Sequence, residues 1–257
     1  MSKVFAIANQ KGGVGKTTTN INLSAELANL GQKILTIDID PQGNTTSGLG
    51  IDKEREGPSI YDVLINGLPI REAIINTQVE NLHIVTSNLQ LAGAEIEMVN
   101  MESREYILKK AIEDVLDQYD YIFLDCPPSL GLITINAFTA SHGVLVPIQC
   151  EYFALEGLTQ LINTINLVKR RSNPNLDIEG VILTMFNART NLSIQVVEEV
   201  KKHFRGKLFT TIIPRNVRLG EAPSHGLPIH LYDPKCVGAV SYNELAQEFL
   251  DRKGEAI

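Results

Sequence analysis

A mostly parallel, twisted α/β sheet with helices on both faces is the fold this sequence predicts, and three observations predict it. Short apolar runs recur along the chain, with stretches of helical spacing between them. The runs are continuously apolar rather than alternating, as strands covered on both faces are. At 257 residues, 44% of them hydrophobic, the chain is long enough to bury one full core, and no repeat, low-complexity tract or Pro/Ser linker divides it. A single domain spanning 1–257 is expected.

The first element is the run Val4–Ala8, read as a buried strand. A glycine-rich turn follows, Asn9-Gln10-Lys11-Gly12-Gly13-Val14-Gly15-Lys16-Thr17-Thr18. Helical spacing then takes over (Ile21, Leu23, Ala25, Leu27, Ala28, Leu30) and stops at Gly31. Strand, glycine turn and helix together are the context of a phosphate-binding loop. Its glycines let successive N–H groups face an anion, and the helix start adds its positive dipole end. Lys16 would reach the β- and γ-phosphates of a nucleotide, and the Thr17 hydroxyl would ligate Mg²⁺. Lys11, Gly12, Gly13, Val14, Gly15, Lys16, Thr17 and Thr18 are the predicted phosphate-loop contacts. The loop departs from the usual pattern in two places. Gln10 stands where a glycine is usual, and Lys11 adds a second lysine ahead of the Gly-Gly pair.

Lys33–Asp40 reads as a strand ending in Asp38 and Asp40, broken by Pro41-Gln42-Gly43-Asn44. Residues 45–80 are mixed, with glycines and prolines marking turns between short helices. Leu82–Thr86 is a strand, Ser103–Tyr119 has helical spacing, and Tyr121–Asp125 is a strand tipped by aspartate. Next come a helix at Thr134–Ala140, a strand at Gly143–Ile148 and a helix from Leu155 to about Arg171. A strand at Ile178–Phe186, a helix at Ile194–Phe204, a strand at Phe209–Ile213 and a helix at Gly238–Arg252 complete the series. Ligands in such sheets sit beyond the carboxyl ends of the strands. Lys16, Asp40, Asp125 and the loop after Phe186 therefore converge on one crevice. Phosphoryl transfer there needs positioning, charge neutralisation and an oriented nucleophile. Asp125 would hold Mg²⁺ directly or through its water, and Asp40 would orient the attacking water. Asp38, one strand period nearer the core, would support the Mg²⁺ shell. Lys16 and Asp40 are the catalytic residues expected from this crevice.

Composition limits the alternatives. No apolar run is long enough to span a membrane, and the N-terminus runs directly into the first strand, so a cytoplasmic protein without a signal peptide is expected. Cys126, Cys150 and Cys236 are far apart, which suits reduced core thiols and no metal cluster. The net charge of −7 is uneven: residues 1–159 carry 10 Lys and Arg against 20 Asp and Glu, whereas 160–257 carry 13 against 10. The C-terminal part can therefore present a locally basic face to a polyanion. Arg189, Lys201, Lys202, Arg205, Lys207, Arg215 and Arg218 are the candidate DNA contacts, with Lys169-Arg170-Arg171 at a helix end. For the Lys201–Lys207 cluster alone, a solvated helix face is the better reading.

Taken together, Lys11–Thr17, Asp38-Ile39-Asp40-Pro41-Gln42-Gly43-Asn44 and Leu124-Asp125-Cys126-Pro127-Pro128-Ser129 resemble the ParA/Soj chromosome-partitioning ATPases. These belong to the deviant Walker A group of P-loop ATPases that also contains MinD. Pro214-Arg215-Asn216-Val217-Arg218 and Glu221–Gly226 carry the resemblance through the C-terminal third. It implies an ATP- and Mg²⁺-dependent ATPase that forms a homodimer around ATP. Lys11 would reach the partner copy's phosphates and so join Lys16 and Asp40 as a catalytic residue, and any Cβ at Gly12 would obstruct the dimer. The resemblance also implies that Asp40 supports hydrolysis and that Pro214 and Asn216 lie near the adenine, with Asn187 a further base contact. Arg189 and Arg218 match positions implicated in sequence-independent binding of double-stranded DNA. A nucleoid-associated protein follows, with a ParB-type partner that stimulates hydrolysis, segregating chromosome or plasmid origins. In some relatives the same switch regulates replication initiation. The rivals are a MinD-like membrane-associated positioning ATPase, disfavoured by the acidic C-terminal segment, an iron–sulfur carrier, disfavoured by the cysteine spacing, and a partitioner of non-DNA cargo.

Overall fold

The computed structural model describes residues 2–151 and 158–254. Among these, seven strands form one sheet: β1 (Lys3–Ile7), β2 (Ile34–Asp38), β3 (Ile74–Asn76), β4 (Leu82–Val85), β5 (Tyr121–Asp125), β6 (Gly143–Gln149) and β7 (Asp177–Thr184). Their order is β3-β4-β2-β5-β1-β6-β7, and every pair is parallel except the edge pair β3–β4. The helices between them are α1 (Lys16–Asn29), α2 (Asn44–Gly48), α3 (Ile60–Ile65), α4 (Ile70–Ala73), α5 (Leu91–Met98) and α6 (Ile107–Ile112). The second half adds α7 (Leu132–Ala140), α8 (Leu158–Arg171), α9 (Asn191–His203), α10 (Val217–Glu221), α11 (Ile229–Tyr232) and α12 (Val237–Lys253).

Alternation of side chains along each strand explains two cores. Along β1, Val4 and Ala6 face a cluster with Ile122, Leu124, Leu91, Ile112, Phe138, Leu161 and Val200. Phe5 and Ile7 face the opposite cluster, which contains Leu23, Leu27, Phe123, Tyr242, Leu245 and Phe249. Helices α1 and α12 thus cover one face, and α3 with α5–α9 the other. Because both faces are dry, both residue sets along a strand must be apolar, which is why the runs read as continuous.

Three departures from the sequence reading have a physical cause visible in the structure. The expected helix at Ser103–Tyr119 is broken: only α6 is α-helical, flanked by tighter 3₁₀ turns at Arg104–Tyr106 and Glu113–Val115. The Asn136 carboxamide enters its start, donating to Arg104 O at 2.7 Å and accepting from Leu108 N–H at 3.2 Å. Helix α5 has no counterpart in the sequence reading. Its buried residues (Leu91, Ala94, Met98) and its exposed Ile96 together erase an amphipathic signature. The expected strand Phe209–Ile213 follows β7 only at its ends, where Phe209 N–H donates to Val181 O and Ile213 N–H to Leu183 O, both at 2.9 Å. Between them, Thr210 and Thr211 N–H turn to the Glu248 carboxylate of α12 at 2.7 and 2.8 Å. The predicted start of α8 at Leu155 lies outside the described residues.

Gly180 is what lets this segment close on β7. A Cβ there would lie 2.2 Å from the edge of the buried Phe209 ring. The Gly180→Ala variant is therefore expected to lose about 1–3 kcal/mol of stability through overpacking, read as a lower urea midpoint at unchanged slope.

Candidate functional site

Three neighbouring strands end level with one another. The register pairs Ile7 and Asp38 each with Asp125, so the loops after β1, β2 and β5 leave the sheet side by side. The phosphate loop leaves β1 and enters α1 through Gly13 and Gly15, at φ 72° and 91°, a backbone region that side chains disfavour. No side chain caps the start of α1, so its first N–H groups remain available to an anion. The loop is fastened from below. Asn9 Nδ2 donates to Pro147 O at 2.7 Å, Asn9 Oδ1 accepts from Lys11 N–H at 3.0 Å, and Thr184 Oγ1 donates to Val14 O at 2.8 Å. Gln10, standing where a glycine is usual, hydrogen-bonds Gln160 of α8.

Lys16 is buried, and its ammonium reaches Lys11 O at 3.4 Å. Burial lowers its pKa, while the negative charges of Asp125 and Asp40 oppose that shift. Lys11 itself lies half-exposed at the lip, beside the open Gly12 and Gly13. Asp125 is fully buried: its Oδ2 accepts from the hydroxyls of Thr17 and Thr45, both at 2.8 Å. Its Oδ1 has no partner among the described residues. A buried carboxylate oxygen left without a donor is costly unless a cation meets it. The donor set, one carboxylate and one hydroxyl beside a phosphate loop, fits Mg²⁺, which takes its remaining ligands from water and phosphate. Thr17 and Asp125 would hold that ion, and it would neutralise charge on the phosphates. Asn20 braces the cluster, donating to Thr45 Oγ1 at 3.0 Å and Thr36 Oγ1 at 2.7 Å.

Asp38, also fully buried, accepts from Thr46 N–H and Thr46 Oγ1, both at 2.8 Å, and from Asp40 N–H at 3.2 Å. It ties the end of β2 to α2 and leaves little lone-pair capacity for a metal. Asp40 sits one turn further out, nearly buried. Its Oδ1 accepts from Gln42 N–H at 2.9 Å, and its Oδ2 accepts nothing among the described residues.

Beside the loop opens a cleft of about 390 Å³. Its walls include Gly15, Thr18, Thr184, Met185, Pro214, Asn216 and Tyr242, with Arg215 at its edge. Asn216 spends its side-chain oxygen on Arg218 N–H at 2.8 Å, capping α10. Asn187 lies two residues beyond Met185, its oxygen turned back to Arg189 N–H at 3.1 Å. Sequence reasoning missed Met185, Thr184 and Tyr242. Met185 holds φ 51°, a strain no residue pattern announces, and Tyr242 arrives from α12, far along the chain. Thr184, at the end of β7, was findable by the same rule that found Asp125.

The basic candidates divide by what they touch. Lys201 and Lys202 pair with Glu198 and Glu199 of their own helix at 3.2 and 3.1 Å, and Lys207 pairs with Asp177 while donating to Ile178 O at 2.8 Å. Arg215 meets Glu151 at 2.8 Å, and Arg218 meets Glu221 at 2.8 Å and Asp233 at 3.5 Å. Arg189 is exposed and forms no ion pair among the described residues. No described helix is long and apolar enough to cross a membrane.

The two buried carboxylates set a pH dependence. Burial raises Asp125 to about 6, and burial together with the charge of Asp125 raises Asp38 to about 7. A raised carboxylate holds its proton in the fold at pH values where the unfolded chain has released it. These groups therefore favour the empty fold below that window and cost stability as pH rises through it. A cation at Asp125 must displace the remaining proton. Titration with preformed Mg²⁺–ADP in buffers of differing ionisation enthalpy is expected to show proton release near pH 6 that vanishes by about pH 8.

Residues 2–178 match the family described as an AAA domain. The chain is 60% identical over 248 residues to the sporulation initiation inhibitor protein Soj of Bacillus subtilis (strain 168), covering 96% of this chain and 98% of that one. It is 51% identical over 252 residues to the chromosome partitioning protein ParA of Myxococcus xanthus (strain DK1622), covering 98% of this chain and 89% of that one. Among solved structures, a cobyrinic acid a,c-diamide synthase of Mycobacterium smegmatis with bound ADP and magnesium aligns with TM-score 0.87 at 35% identity, covering 99% of this chain and 96% of that one. With a two-lysine phosphate loop, level Asp38 and Asp125 and near-complete coverage by these relatives, the chain belongs to the ParA/Soj family of chromosome-partitioning P-loop ATPases.

Proposed function

We propose that this chain works as one ATPase domain whose dimerisation is gated by ATP, the dimer binding double-stranded DNA without sequence preference. It hydrolyses ATP with Mg²⁺ as its cofactor. The observation that carries the dimer is the setting of Gly12. A Cβ on Gly12 would meet nothing within 4 Å in the isolated chain, and its φ lies outside the left-handed region. Neither space nor backbone within one copy requires glycine there. A second copy closing over the loop would, and it would bring its own Lys11 against the phosphates, as a trans-acting cation does.

In this reading Lys16 and the N–H groups of the loop grip the triphosphate. Asp40, with one carboxylate oxygen that accepts nothing among the described residues, orients the attacking water, and Lys11 of the partner copy stabilises charge on the transferring group. Asp38 acts as a brace that fixes α2 and the Asp40 loop. Pairing two copies doubles a weak basic surface. Arg189 is free to meet phosphates, whereas Arg218 must first exchange its carboxylate partners. A ParB-type partner stimulates turnover, and the resulting cycle segregates chromosome or plasmid origins within the cytoplasm.

Gel filtration and DNA retention with no nucleotide, ADP, ATP and a slowly hydrolysed analogue test the scheme. Asp40→Ala is expected to dimerise and hold DNA with ATP while turning over at least tenfold more slowly. Gly12→Val should fold normally and bind ATP yet stay monomeric and lose DNA retention. Arg189→Glu with Arg218→Glu should dimerise but release DNA, and wild-type retention should fall steeply with salt. Retention that is unchanged in the double-arginine variant would reject the DNA assignment.

A further inference from the structure

Helix α5 carries an apolar face that nothing among the described residues covers. Leu89, Ala92, Ile96 and Val99 recur at helical spacing, with turns at both ends of α5 continuing its course, so the four lie along one side. Leu89 is 76% exposed, Ile96 78% and Val99 51%. The opposite side, Leu91 and Ala94, is fully buried in the core, so the stripe cannot turn inward without unpacking the helix. The surroundings are acidic on balance: residues 89–105 contain Glu95, Glu97, Glu102 and Glu105 against Arg104, and the cleft beside Leu89 adds Glu54 with Lys53 and Arg55. Arg104 is itself engaged, donating to Val99 O at 2.6 Å and pairing with Glu105 at 3.2 Å.

The stripe adjoins a catalytic loop at its Leu89 end, and the middle of α5 reaches a further helix. Leu89 and Gln90 share a cleft of about 410 Å³ with Pro41 and Gln42, the residues that follow Asp40. Within it, Lys53 and Arg55 are held by backbone carbonyls, Gln42 O at 2.6 Å and Pro58 O at 3.1 Å. On the other side, Glu95 accepts from Ile133 N–H at 3.2 Å, capping α7 just after the Asp125–Ser129 loop.

We infer that this face of α5 docks a basic amphipathic segment of a protein partner, whose apolar side covers Leu89, Ile96 and Val99 while its cations meet the glutamates. Charge decides among occupants. Two copies of this chain meeting through α5 would oppose like charges, and an anionic lipid surface would be repelled by the same rim, whereas a basic segment is attracted and steered. A segment seated here touches the Pro41–Gln42 loop and the helix that Glu95 caps, so its docking bears on turnover. The inference rests on the reading that a partner protein stimulates hydrolysis.

The test uses the full chain, an 18-residue helical Leu/Lys amphipathic peptide, a scrambled peptide of equal composition, and a ParB-type partner. Anisotropy, ATP turnover and ATP-dependent dimerisation are measured for wild type, Leu89→Ser/Ile96→Ser and the control Val240→Ser, another exposed apolar site. The amphipathic peptide is expected to bind wild type and the control at least tenfold more tightly than its scramble. In the double variant that advantage should vanish, together with stimulation by the partner, while basal turnover and dimerisation stay unchanged. Equal binding of the two peptides, or a double variant that binds and responds as wild type does, would overturn the docking site. So would loss of dimerisation in the double variant, which would assign the face to a second copy. A partner that stimulates wild type and double variant alike rejects this surface alone. One that stimulates neither rejects the partner reading as well, and ATP-dependent DNA retention would stand apart from both.

Discussion

A carboxylate sealed at the end of a central strand is the constraint from which the rest of this site follows. Asp125 sits at zero exposure with two hydroxyls on one oxygen and, among the described residues, no hydrogen-bond partner on the other. Such a group is tolerable only because its neighbours are fixed: Thr17 by the first turn of α1, Thr45 by α2, and Asn20 between them. Thr17 and Asn20 come from α1, which follows β1, and Thr45 from α2, which follows β2. The carboxylate therefore gathers the strand ends into one site before any ligand arrives, and the orphaned oxygen stores a demand for positive charge that the empty protein cannot meet.

The same arrangement explains why Asp38 and Asp40 differ although two residues apart. The register of β2 against β5 sets Asp38 beside Asp125, where its oxygens are consumed by the backbone and hydroxyl of Thr46. Asp40 lies past the last ladder bond, where one oxygen closes a turn and the other stays open. One carboxylate holds the scaffold, and the other is left for chemistry.

Much of this was legible in the chain. The phosphate loop, the aspartate-tipped strands and the two-faced sheet could be read because their signals are local: glycine spacing, an apolar run and its acidic end. Tyr121–Asp125 matches β5 residue for residue. What stayed hidden depends on distant partners. Helix α5 hid because its exposed Ile96 carries as strong an apolar signal as its buried Leu91 and Met98. The Phe209–Ile213 strand lost its ladder to Glu248, more than thirty residues away. Likewise, no residue count could show that Lys201 and Lys202 are answered by Glu198 and Glu199 on their own helix, whereas Arg189 is not answered at all among the described residues.

Tyr242 closes the floor of the cleft and touches Thr19 through its hydroxyl at 3.2 Å, across 223 positions of sequence. A ribosome adding about 5–20 residues each second needs roughly 10–45 s to cover that distance. Throughout that interval the nascent loop lacks one wall of the cleft beside it. The cleft is thus complete only once the last described helix has folded back onto the first.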